Sequence, residues 1–74
     1  MSVPLALDWY DDEGECETAV FPGGIAQVWL ADTLRGPRWA WAVIWDGGAE
    51  VMNDCATQEL AKAAARGTIA SQRP

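Results

Sequence analysis

Reversal signals recur through the first fifty residues of this chain, and no fold built from long elements fits between them. The signals are Asp11-Asp12-Glu13-Gly14, Pro22-Gly23-Gly24, Arg35-Gly36-Pro37 and Asp46-Gly47-Gly48. Each places Gly, Asp or Pro where a tight turn needs unusual or pre-set dihedrals. Strand-like runs lie between them, at about 5–10, 15–21, 25–33, 38–46 and 49–53. Loops this short make each neighbouring pair an antiparallel hairpin, so a meander of four to five strands is expected.

The pattern changes at Ala56. Ala-Thr-Gln-Glu-Leu-Ala-Lys-Ala-Ala-Ala-Arg consists almost wholly of helix formers. Asp54 or Thr57 can cap its start, Glu59 suits the first turn, and Arg66 and Gly67 suit its end. The reading is one helix over about 55–70 and a frayed tail over 71–74. The expected fold class is α+β: an antiparallel meander with one C-terminal helix packed on one face. Residues 1–74 form a single domain without linker or repeat. A chain of 74 residues buries only a modest core. Its five Trp offer large buried area per residue.

Period-2 alternation divides each strand into two faces. One set is small and apolar: Leu5, Leu7 and Trp9; Cys16, Thr18 and Val20; Ala26, Val28 and Leu30; Ala40, Ala42 and Ile44; Val51. It matches a helix face of Leu60, Ala63, Ala64 and Gly67, and is assigned as the helix-covered core. The opposite set mixes acids with large rings: Asp8 and Tyr10; Glu15, Glu17 and Phe21; Gln27 and Trp29; Trp39, Trp41, Val43 and Trp45; Glu50 and Met52. The expected register brings Asp8 near Glu17, Glu17 near Trp29, and Trp29 near Trp41. Like charges facing each other on a sheet are mildly destabilising, so such a cluster suggests a surface kept for binding. A one-residue slip reverses the assignment.

Charge is distributed one way along the chain. Residues 1–34 hold seven acids (Asp8, Asp11, Asp12, Glu13, Glu15, Glu17 and Asp32) and no basic residue. Arg35, Arg38, Lys62, Arg66 and Arg73 all follow, beside Asp46, Glu50, Asp54 and Glu59, for a net charge of −6. Such asymmetry concerns partners and solubility rather than fold, and it points to a basic partner. The acidic turn at 11–17 has two readings: a solvated turn that keeps a small protein soluble, or carboxylates that imitate a run of phosphates and occupy a phosphate-binding groove. Its spacing fits no EF-hand, so no metal is expected.

The run Trp39-Ala40-Trp41-Ala42-Val43-Ile44-Trp45 is either a binding platform or a layer that packs on itself with Phe21 and Met52. Stacking on nucleic-acid bases is disfavoured, because an acidic face repels a phosphate backbone. The chain has no His, hence no Ser-His pair, no His base and no His metal ligand. The glycine pairs are turn glycines, and no enzyme or cofactor is expected. Cys16 and Cys55 allow one disulfide at most. Residues 1–7 lack a basic leader region, and no apolar run approaches the roughly 20 residues of a membrane span. The expected setting is cytoplasmic, with two reduced, buried thiols and a disulfide as the alternative.

A tiny, acidic, His-free domain with a short antiparallel sheet and one helix resembles the anti-CRISPR proteins of phages and mobile elements. It is most similar in style to those acting on type I (Cascade) systems, type I-C among them. The resemblance covers the whole chain in size, charge and architecture. It implies a non-enzymatic inhibitor that imitates DNA in the basic groove of a type I effector, acting through Asp8, Asp11, Asp12, Glu13, Glu15, Glu17 and Asp32. Trp29 and Trp41 would add contact area. The expected partner is a basic DNA-binding complex, with no direct nucleic acid, no membrane and a monomeric state. Arg35 and Arg38 depart from a pure mimic; at the same sheet end they weaken the acidic field or orient the acids through ion pairs. The competing reading is a small assembly module that self-associates through the Trp face.

Overall fold

The structure, a computed structural model, describes residues 7–11 and 16–72. Among these, five strands and one helix follow in chain order: β1 (Tyr10–Asp11), β2 (Cys16–Phe21), β3 (Gly24–Thr33), β4 (Gly36–Trp45), β5 (Glu50–Cys55) and α1 (Gln58–Gln72). The strands form one antiparallel sheet in the order β1-β2-β3-β4-β5. The fold is the expected α+β meander. Pro22-Gly23 and Leu34-Arg35 are two-residue links, and Gly23, Gly36 and Gly48 hold the positive φ that the reversals require. Thr33 clasps the β3–β4 turn: its hydroxyl donates to the Gly36 carbonyl at 2.7 Å and accepts the Arg35 amide at 3.1 Å.

Helix α1 begins three residues later than expected. Thr57 is its N-cap, with Oγ1 accepting the Leu60 amide at 3.2 Å and its carbonyl accepting the Ala61 amide at 3.0 Å. Asp54, the other candidate cap, instead belongs to the sheet. The helix runs on through Gly67 to Gln72. Its buried stripe is Ala61, Ala65 and Ile69, spaced four apart as one face of a helix requires. Leu60, Ala63 and Gly67 are exposed, so the expected helix face is corrected: of that set only Ala64 packs towards the core.

The register also reverses part of the face assignment. Phe21 pairs with Gly24 and Thr33 with Gly36, which aligns Glu17 with Val28 and Val28 with Trp41. The expected neighbours Glu17 and Trp29, and Trp29 and Trp41, each differ from this by one residue. Asp11, rather than Asp8, is paired with Glu17. A slip of one flips a strand's faces, so β2 and β4 turn over relative to β3. Trp9, Ala26, Val28 and Val51 lie on the helix side as expected. With them lie Ala19, which had been placed on neither face, and Glu17, Phe21, Trp39, Trp41, Val43 and Trp45, which were assigned to the opposite side.

The core therefore holds the rings. Phe21, Ala26, Val28, Trp41 and Val43 pack with Ala61, Ala65 and Ile69, flanked by Leu7, Trp9, Trp39, Trp45, Val51 and Cys55. Burying side chains of this size contributes about 1.5–3 kcal/mol each before entropy is counted. Alanines at 61 and 65 bring α1 close above β3, β4 and β5, its neighbours in the sheet. Gly24 carries the tightest contact. A Cβ there would lie 2.2 Å from the Ile44 carbonyl oxygen and 2.9 Å from the Phe21 ring. Its bare backbone lets Phe21 and Trp45 meet edge to face across β3, with ring centroids 6.4 Å apart and planes at 80°.

Candidate binding surfaces

Of the residues assigned to partner binding, Asp12, Glu13 and Glu15 lie outside the described residues. Asp8, Asp11 and Asp32 are exposed. Asp11 stands beside Glu17 at the β1 edge, whereas Asp32 sits at the far end of β3 opposite Pro37. Antiparallel pairing places the end of β1 and the end of β3 at the same end of the sheet, so Asp11, Asp32 and Arg35 share that end.

Glu17 is not a free acid. The Lys62 ammonium donates to its Oε1 at 3.0 Å, and the Gln58 amide donates to its Oε2. Lys62 also lies 5.5 Å from the centroid of the Trp9 ring, within cation–π range. This carboxylate fastens the helix to the sheet, a role that needed the tertiary fold to be seen. Arg38 is likewise held in an ion pair, on the β5 side of that sheet end. Its Nε and Nη2 donate to Asp54 Oδ1 at 3.3 and 3.1 Å. The acid it orients is one on β5, outside the N-terminal cluster.

The tryptophans separate. Trp41 is 6 % exposed beneath the helix, and its indole N–H is buried without an acceptor among the described residues. Its assignment as a partner-binding ring is corrected: Trp39, Trp41, Val43 and Trp45 form a core layer. Met52, expected in that layer, lies on the other face, half-exposed. Trp29 is half-buried on that same face, opposite Cys16 and Ala40. Cys16 faces away from the helix and Cys55 towards it, three strands apart. At roughly 4.8 Å per strand this separation exceeds the reach of a disulfide. Both side chains are half-buried, short of the full burial expected.

The face opposite α1 carries a surface that the sequence reading placed elsewhere. Val20, Ile25, Ile44 and Glu50 form one cross-strand row. Tyr10, Thr18, Gln27, Ala42 and Met52 form the next. No described element covers them. The signal for this face lay in the two-residue links Pro22-Gly23 and Leu34-Arg35, which set the parity of each hairpin. Among the described residues no three His, Cys, Asp or Glu side chains converge to hold a metal, and no helix is long and apolar enough to cross a membrane. No protein-family model, curated protein or solved structure matches the chain.

Proposed function

We propose that this chain is a non-catalytic inhibitor, similar to anti-CRISPR proteins, that occupies the basic DNA-binding groove of a type I CRISPR effector in the bacterial cytoplasm and excludes target DNA. One observation carries the reading: among the described residues the ion pairs take up half of the bases but only a quarter of the acids. Arg38 is spent on Asp54 and Lys62 on Glu17. Among the described residues this leaves Asp8, Asp11, Asp32, Asp46, Glu50 and Glu59 as exposed carboxylates outside any ion pair, against Arg35 and Arg66. The outward field is therefore acidic, and strongest support comes from the end that holds Asp11 and Asp32. Such a field steers association with a basic groove.

The footprint is narrower than the sequence suggested, because Glu17 is taken up by Lys62 and Trp41 is buried in the core. The test uses a purified type I-C effector and labelled target DNA. The wild-type chain is expected to displace the DNA, less so as salt rises. Asp8→Lys, Asp11→Lys and Asp32→Lys together are expected to weaken displacement at least tenfold without lowering the unfolding midpoint. Undiminished displacement by the triple variant, or none by the wild type at low salt, overturns the reading.

A further inference from the structure

We infer that the sheet face opposite α1, which no described element covers, is a homodimer interface, on which two copies pack sheet to sheet into a helix–sheet–sheet–helix sandwich. An antiparallel sheet with one face in water ordinarily presents polar side chains there. This one carries Val20, Met52 and Tyr10 exposed, at 65, 56 and 51 %, with Ile25, Ile44 and Trp29 half-buried among them and Thr18 and Ala42 buried between. The relief suits a second sheet. Ala31, Ala40 and Ala42 keep the middle of the face low, which permits the ~10 Å separation of packed sheets.

Charge selects the occupant. A chain of net charge −6 repels its own copies wherever carboxylates face each other. Among the described strand residues of the open face, Arg38 neutralises Asp54 and Glu50 is the sole charge outside an ion pair, with exposed Asp8 lying just ahead of β1. Asp11, Asp32 and Glu17 belong to the other side of the sheet. This face is therefore the approach on which two acidic copies repel least, whereas a basic partner finds little on it to attract it. Five strands about 4.8 Å apart, with side chains overhanging the edges, give a face of roughly 600 Å². Two such faces bury about 1,200 Å², the lower bound for a specific, stable interface.

Dimerisation of this kind is independent of the proposed target and has the opposite salt dependence, because screening removes repulsion between copies while leaving apolar burial in place. Sedimentation of the purified chain from ~1 µM to ~1 mM is expected to show a monomer–dimer equilibrium that tightens from low to high salt. Val20→Lys with Met52→Lys lowers the net negative charge yet is expected to weaken the dimer at least tenfold, while Leu60→Lys on the outer helix face leaves it unchanged. In wild-type protein carrying 5-fluorotryptophan, the Trp29 resonance is expected to shift with concentration and that of Trp41 to stay fixed. A wild type that is monomeric throughout, a Trp29 resonance independent of concentration, or a Leu60→Lys variant that dissociates overturns the inference.

Discussion

Lys62 on the helix and Glu17 on β2 form a 3.0 Å ion pair beyond the strands that α1 itself covers. With the Lys62 ammonium also set above the Trp9 ring, one side chain fastens both the helix and the residues leading into β1 to the sheet edge. Both partners are about a quarter exposed, so solvent screening limits the pair's worth. Lys62→Met is expected to cost about 1 kcal/mol. A double-mutant cycle with Glu17→Gln should return a coupling of about 0.5–1 kcal/mol that shrinks at high salt. Urea midpoints of the four proteins at two salt concentrations check this.

Gly24 is required for space rather than for φ. Gly24→Ala drives a methyl into the Ile44 carbonyl and is expected to cost about 2–3 kcal/mol. Gly47→Ala, where a Cβ meets open space, is expected to stay within about 0.5 kcal/mol of wild type. Equal effects in thermal unfolding would refute the contact.

Trp41 combines a large buried ring with an indole N–H that lacks an acceptor among the described residues. Trp41→Phe keeps most of the ring and removes the desolvated donor, so a cost within about 1 kcal/mol is expected. Trp41→Ala opens a cavity under the helix at about 3–5 kcal/mol, enough to unfold much of a small domain. Chemical denaturation followed by far-ultraviolet circular dichroism separates the two outcomes.

Thr57 caps α1 through its hydroxyl. Thr57→Ala is expected to cost about 1 kcal/mol, and Thr57→Ser or Thr57→Asp to cost little. Amide hydrogen exchange of the first helical turn should rise in the Ala variant alone.

The turn residues made the meander legible, because Gly23, Gly36 and Gly48 occupy φ values that few other residues adopt. The helix was legible from its composition. The facing of β2 and β4 was not. Whether a strand begins at Gly24 or at Ile25 is a one-residue matter, well inside the precision with which sequence sets strand ends, yet it decides which side Trp41 and Glu17 face. Both alternating sets in β4 are apolar, Ala40, Ala42 and Ile44 against Trp39, Trp41 and Val43, so hydrophobicity could not break the tie. The pairing of Glu17 with Lys62 spans 45 positions and has no local signature. Only the fold shows which acids stay exposed outside ion pairs.

At the outer edge of the sheet, the amide of Asp54 is bonded to the side chain of its own neighbour, Asn53, at 2.8 Å. An edge strand is a template for further strands unless its donors are occupied or its side chains are charged. Here β5 has both protections, with Glu50 and Asp54 on it. Growth along the hydrogen-bonding direction, the route to fibrils, is thereby capped on that side. A chain with apolar side chains on both faces of its sheet can then assemble by stacking and stop at a finite size.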